Sequence, residues 1–317
     1  MKPEILVITP IYGPTLAELK REYVVHEAYS ATDMNALLRD VGPRVRAMVT
    51  TGFVGFKRAD IEPLPKLEIV ACFGNGHNTY DLAGAKERGI VVTNTPDLTS
   101  ETVAETAIGL LLAVSRRIAE SDRYVRAGRW TGGPGAIGLG HTLMGKVCGI
   151  MGLGHIGKGV ARRAEALGMT ISYHGRREQA DVPYRYYADL ESLAHHADCL
   201  VIACPLTPET RGAVDASVLQ ALGPGGYLVN VGRGPIVDED ALIAALRDKR
   251  IAGAALDVFW NEPEVPQELT AMENVVLVPH IGSSTREIRE ERSAKLLANL
   301  KAHFAGQPVL NPVANNR

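Results

Sequence analysis

No stretch of this chain approaches the run of about 20 apolar residues that a membrane-spanning helix needs, so no such helix is expected. Nor does one sign of charge dominate. The formal net charge is −2 at pH 7, and Arg and Lys are dispersed. Pairs such as Arg116-Arg117, Arg162-Arg163 and Arg176-Arg177 are not basic tracts, which leaves no footprint for nucleic acid or an anionic membrane surface. Cysteine is scarce: Cys72, Cys148, Cys199 and Cys204, none in C-x-x-C spacing, all in or beside apolar strand-like segments. They read as small core residues in a reducing compartment, and no metal site is expected. Solenoid repeats and low-complexity segments are absent too. Met1-Lys2-Pro3-Glu4 passes straight into a strand-like stretch at residues 5–9, unlike a secretory leader, so the cytoplasm is the expected location. What is present is the composition of an ordinary globular protein, 46% hydrophobic and 22% charged, in a chain of 317 residues. That length suits about two domains with a substantial core.

The chain is organised around residues 147–157. An apolar run at 147–151 reads as a buried parallel strand, Gly152, Gly154 and Gly157 stand in G-x-G-x-x-G spacing, and a helix is expected over 158–167. In that context Gly152 permits a tight turn, Gly154 lets a pyrophosphate approach the backbone, and Gly157 lets helix and strand pack closely. The N–H groups at the helix start then face the phosphates, favoured by the helix dipole. A second strand follows at 169–173. It is trailed by His174, Gly175, Arg176 and Arg177, with no carboxylate before Glu178. A carboxylate there accepts bonds from the ribose 2′-OH of NAD, whereas a guanidinium suits a 2′-phosphate. NADP is therefore preferred, with NAD possible if both arginines are solvated loop charges.

Before this unit, strands are expected at 5–9, 47–50, 69–72 and 90–93, with helices at 15–22, 33–39 and 82–88. Such alternation argues for an α/β unit with a parallel sheet. The Gly-rich connection from Phe73 through Gly74, Asn75, Gly76, His77 and Asn78 follows a strand, where bare N–H groups can meet an anion. Pro96 and Asp97 break the pattern. Ser100 is the expected cap of one long apolar helix over 101–124, of a length that suits burial between domains or subunits. Residues 131–140 read as an extended loop. Further strands are expected at 199–204, 227–231, 251–258 and 275–278, then a helix at 284–304 and a tail at 308–313 that completes the first domain.

Polar residues follow these later strands and so belong on the rim where ligands bind. Three of them suit carbonyl reduction together. His280 can be the general acid, because an imidazole titrates near working pH. Glu262 can hold its tautomer and favour its protonated form. Arg233 can bind a substrate carboxylate and polarise the adjacent carbonyl.

At these residues the chain resembles the D-isomer-specific 2-hydroxyacid dehydrogenase family over nearly its whole length. The carrying segments are Gly152-Leu153-Gly154-His155-Ile156-Gly157, the stretch from Asn230 to Asp238, the stretch from Ala255 to Pro263, and Pro279-His280-Ile281-Gly282-Ser283-Ser284. The resemblance implies a Rossmann-type doubly wound nucleotide-binding domain, residues 100–284. It is inserted in a smaller flavodoxin-like α/β substrate domain, residues 1–99 and 285–317. It implies that Arg233, Glu262 and His280 are the catalytic set and that the backbone of Asn75 and Gly76 joins Arg233 and His280 in binding substrate. It implies cofactor contacts from the glycine loop with Leu153, His155 and Ile156, and from His174, Gly175, Arg176 and Arg177. Thr106, Cys204, Pro205, Thr210, Val231, Gly232, Arg233, Asp257, His280 and Gly282 are implied as well, with Asp257 at the nicotinamide end. Two segments, 173–177 and 204–210, look most like the family's NADP-preferring hydroxypyruvate and glyoxylate reductases. The substrate loop departs from the common G-V-G-x-D pattern through Asn75 and His77, although its backbone donors survive. A homodimer is expected. Two other readings fit the same resemblance: a sibling dehydrogenase acting on another substrate, such as phosphoglycerate, and a non-enzymatic NAD(P)H-sensing scaffold.

Overall fold

Short β-branched runs, each closed by a polar or glycine turn, lay down the strands of the first unit. The computed structural model describes residues 2–76, 79–96, 99–133 and 136–313. It divides the chain into Met1–Leu98 with Thr285–Arg317, and Thr99–Ser284. His77, Asn78 and Asp97, named above, lie outside the described residues.

The first unit runs β1 (Glu4–Val7), α1 (Gly13–Glu22), β2 (Val24–Glu27), α2 (Met34–Val41), β3 (Val45–Thr51), α3 (Arg58–Ile61), β4 (Ile69–Phe73), α4 (Leu82–Glu87) and β5 (Val91–Thr93). Its sheet has the order β2-β1-β3-β4-β5, parallel throughout, as in a flavodoxin-like fold. Parallel sheets are covered on both faces, and β4 is buried along its whole length. Val70 and Cys72 face one cluster with Ile61 and Leu64, while Ile69, Ala71 and Phe73 face another.

The second unit runs α5 (Ser100–Ser115), α6 (Ile118–Arg126), β6 (Val147–Met151), α7 (His155–Ala166), β7 (Thr170–His174), β8 (Arg185–Tyr187), α8 (Leu190–His196), β9 (Cys199–Ile202), α9 (Ala216–Leu222), β10 (Tyr227–Asn230), α10 (Glu239–Arg247), β11 (Gly253–Leu256), α11 (Gln267–Thr270) and β12 (Val275–Leu277). Its parallel sheet has the order β12-β11-β10-β9-β6-β7-β8. The order reverses between β6 and β9, which is the switch point where a doubly wound sheet binds its ligand. Two apolar clusters sandwich this sheet, one supplied largely by α5 and α7, the other by α8, α9 and α10. The expected α/β class, with one Rossmann-type sheet and one smaller flavodoxin-like sheet, is what the chain has.

The last helix, α12 (Arg286–Phe304), belongs to the first unit and puts Leu296 and Leu300 into the cluster under Ile69 and Ala71. The tail after it returns to β5: the Val313 N–H donates to Val92 O at 2.9 Å, and the Asn94 N–H donates to Asn311 O at 3.2 Å.

Several local expectations need correction. The single helix over 101–124 is two helices. At the break Arg117 adopts φ 56° and its guanidinium grips Glu120 at 2.7–2.8 Å, while the returning chain caps α5 through His141 N–H to Ser115 O at 2.8 Å. That return comes from tertiary structure, so local periodicity does not reveal it. Ser100 is the first helical residue rather than the cap, and Thr99 before it makes no side-chain capping bond. The helix expected over 158–167 starts earlier, at His155, directly on Gly154. The final helix starts at Arg286, capped by Thr285. The edge strands β2 and β8 are additional to the expected set, because neither is an apolar buried run. No helix among the described residues is long and apolar enough to cross a membrane.

Candidate active site

Every strand of the second sheet is parallel, so all its carboxyl ends share one edge. That edge carries Gly152 after β6, Gly175 after β7, Cys204 after β9, Val231 after β10, Asp257 after β11 and His280 after β12.

The glycine loop has the stereochemistry its spacing implies. Gly152 sits at φ 96°, and a Cβ there would lie 2.6 Å from Cys204 Cβ. A Cβ on Gly157 would lie 2.2 Å from Gly152 O, so strand and helix meet at a distance only glycine allows. A Cβ on Gly154 would meet nothing within 4 Å, which leaves the approach to the start of α7 open. His155, exposed, and Ile156 form the first turn, with Lys158 N–H donating to Gly154 O at 2.8 Å. The N–H groups opening α7 and the clear space over Gly154 fit a pyrophosphate. The residues present therefore suit a dinucleotide.

His174 closes β7 with Nδ1 3.0 Å from Tyr187 O. Arg176 and Arg177 are exposed, and neither makes a hydrogen bond or ion pair with a described residue. A hydrogen bond from Thr207 holds the Glu209 carboxyl below its ordinary value, and the charge of nearby Arg176 adds to the effect. Across the switch point, Thr210 fastens the loop after β9 by donating to Pro205 O at 2.8 Å. Burial pushes the Cys204 thiol up to about 11, so it stays protonated. Thr106, on α5, donates back to Thr102 O at 3.0 Å.

Arg233 stands between Gly232 and Gly234. Buried Asn230 shapes this turn, accepting from Gly232 N–H and donating to Arg233 O, both at 3.0 Å. Gly234 packs so tightly that a Cβ would lie 2.1 Å from Phe259 C, which joins the Arg233 loop to the Glu262 loop. The Trp260 indole N–H adds a bond to Val237 O at 2.7 Å. Val231 is buried beneath.

Glu262 and His280 meet as expected, with His280 Nδ1 2.7 Å from Glu262 Oε2. The other carboxylate oxygen accepts Phe259 N–H at 3.0 Å. Burial alone would raise the Glu262 carboxyl. Its hydrogen bonds from His280 and Phe259, with the His280 and Arg233 charges, outweigh burial and hold it below its ordinary value. An ionised carboxylate only accepts, so Nδ1 carries a hydrogen and Nε2 faces away from Glu262. His280 itself has φ 52°. Asp257, only 2% exposed, fixes this turn by accepting Ile281 N–H at 2.7 Å and Gly282 N–H at 3.0 Å. Burial raises the Asp257 carboxyl, and those two N–H groups offset part of the rise. Its first duty here is to hold the histidine's turn.

In the first unit, the loop after β4 is held by its carbonyls. Thr95 N–H donates to Gly74 O and Asn94 Nδ2 donates to Asn75 O, both at 2.9 Å. The N–H groups of Asn75 and Gly76 donate to no described residue, which suits an anion. Asn230, Trp260 and Gln179, whose Nε2 donates to Leu153 O at 2.9 Å, are structural contributors that sequence reasoning assigned no role. A polar residue ending an apolar strand was the available signal for Asn230; the other two gave none.

A doubly wound sheet with a dinucleotide cradle and a carboxylate-tethered histidine on one rim defines an NAD(P)-linked oxidoreductase. The chain belongs to the D-isomer-specific 2-hydroxyacid dehydrogenase family, whose NAD-binding-domain model matches residues 108–282. It is 46% identical to glyoxylate/hydroxypyruvate reductase A of Arabidopsis thaliana and 45% identical to hydroxyphenylpyruvate reductase of Plectranthus scutellarioides, each over 98% of both chains. Among solved structures it resembles the NADPH-dependent glyoxylate/hydroxypyruvate reductase of Sinorhizobium meliloti, determined with NADP and malonate. The TM-score there is 0.85 and the identity 41%, over 100% of this chain and 98% of that one.

Proposed function

We propose that this protein reduces small 2-oxo acids, hydroxypyruvate and glyoxylate foremost, to D-glycerate and glycolate, with NADPH preferred over NADH. The observation that carries the reading is the 2.7 Å Glu262–His280 pair on the same sheet edge as the glycine cradle. The names of the relatives support the substrate class, and the arginines after β7 support NADPH.

Bound nicotinamide supplies a hydride for the substrate's C2. His280 delivers the proton to the carbonyl oxygen from Nε2, while Glu262 fixes the tautomer and stabilises the imidazolium. Arg233 offers a forked donor to the substrate carboxylate and polarises the neighbouring carbonyl. Asn75 and Gly76 are assigned to carboxylate binding through their N–H groups. Cofactor contacts are assigned to the glycine loop, to residues 174–177, and to Thr106, Cys204, Pro205, Thr210, Val231, Gly232, Asp257 and Gly282. The division into a substrate domain and a nucleotide domain follows from these assignments. Five large apolar side chains stand exposed within a short span of the second unit: Ile118, Val125, Trp130, Leu139 and Met144. They support a homodimer formed through that unit. Four unpaired cysteines support a cytoplasmic location.

The test is initial-rate oxidation of NADPH and NADH with hydroxypyruvate, glyoxylate, pyruvate and hydroxyphenylpyruvate. Fast turnover with NADPH and a small polar oxo acid is the expected result. Turnover confined to NADH would remove the role given to Arg176 and Arg177. Tight cofactor binding without turnover of any acid would favour a sensing scaffold.

A further inference from the structure

The connection from β7 to β8 carries Arg176 and Arg177 and is fastened at several points. Gln179 N–H donates to the hydroxyl of fully buried Tyr173 at 2.7 Å. The Gln179 side chain donates through Nε2 to Leu153 O at 2.9 Å. Tyr186 OH donates to Gly175 O at 3.2 Å, and Lys158 of α7 pairs with Asp181 at 2.9 Å. Leu153 lies between the first two glycines of the phosphate cradle. One amide therefore ties the cradle to the arginine loop directly. The two arginines stand between these fastenings, exposed and free of bonds to described residues.

We propose that Gln179 is a positioning residue for recognition of the cofactor's 2′-phosphate, an inference that rests on the NADP reading above. A guanidinium offers a phosphomonoester a forked, charged donor, and a loop that must be ordered at binding loses affinity to that ordering. By fixing the loop to Leu153 O, Gln179 sets the distance between the pyrophosphate cradle and the guanidinium groups before the ligand arrives. The acceptor is a carbonyl, so the side chain must donate. Glutamine meets that need, and an apolar side chain of the same length does not. The role concerns the 2′-phosphate alone, because NADH and NADPH share the pyrophosphate that the cradle holds.

The experiment is calorimetric binding of 2′,5′-ADP and of 5′-ADP to the full-length protein and to Gln179→Met, with melting temperature recorded for both. Neither ligand carries a nicotinamide, so the readout is independent of turnover. The variant is expected to bind 2′,5′-ADP about tenfold more weakly, equivalent to about 1.4 kcal/mol, with 5′-ADP affinity and melting temperature unchanged. Undiminished 2′,5′-ADP binding would overturn the proposal, as would an equal loss for both ligands. If the Met variant fails to fold, Gln179→Asn keeps the amide but shortens its reach, and the same selective loss is required of it. A wild-type protein that does not distinguish the two ligands would instead overturn the NADP reading itself. Discrimination by the wild type that persists in the variants removes only the role of Gln179.

Discussion

His280 is one of three non-glycine residues with positive φ among those described, and a buried carboxylate sustains that conformation. Strain of this kind costs of order 1–3 kcal/mol and persists where surrounding bonds over-determine it, as the two N–H groups on Asp257 do. The partner on the imidazole is Glu262, and its removal has a defined signature. Glu262→Gln is expected to lower kcat for reduction by roughly 10²-fold or more, within the range of a general acid's contribution. Retention of the wild-type kcat would detach Glu262 from proton delivery. Stability depends on pH through the same carboxyl. The folded protein holds this carboxyl below its ordinary value of 4.5, so its contribution is complete above that value and is lost as pH falls through the depressed one. The melting-temperature gap between wild type and Glu262→Gln should therefore be widest near neutrality and close in acid. Arg233, Glu262 and His280 were legible because each is a charged or titratable residue just past an apolar run. Gln179 was not, because its meaning lies in a carbonyl 26 residues away.

At the scale of elements, the turn from β6 into α7 separates two uses of glycine that sequence spacing alone conflates. Gly157→Ala forces a methyl to within 2.2 Å of Gly152 O and should destabilise the fold by about 1–3 kcal/mol, the usual cost of overpacking. Gly154→Ala meets nothing within 4 Å. It should melt like wild type yet bind NADPH and 5′-ADP more weakly, because its methyl occupies the phosphate approach. Thermal denaturation with calorimetry distinguishes the two, and a Gly154→Ala protein with normal affinity would refute the cradle. The buried strands were legible from their apolar runs. The edge strand β2 was not, since Val24 is exposed and its neighbours are only half-buried. The break between α5 and α6 was hidden for another reason: the sequence through Arg116 and Arg117 is a good helix, and the cap that ends it arrives from Gly140 and His141.

At the scale of the molecule, one unit is continuous in sequence and the other is not. The sheet of the first unit is made by residues near the start of the chain, while Leu296 and Leu300 of α12 and the bonds from 311–313 to β5 come from its end. Each such leucine contributes about 1.5–3 kcal/mol by burial. A chain stopped after Ser284 should leave Ile5, Val7, Ile69 and Ala71 without their cover. Limited proteolysis should then cut within residues 2–96 first while 99–284 persists and still binds 5′-ADP; uniform digestion would argue that the units are not independent. The same arrangement sets a timetable for the ribosome. The strands that emerge first cannot finish their core until the last helix has been released, whereas the nucleotide-binding unit is complete while synthesis is still under way. In the interval between those two events the newborn chain carries an open parallel sheet. That interval is when a chaperone has most to protect.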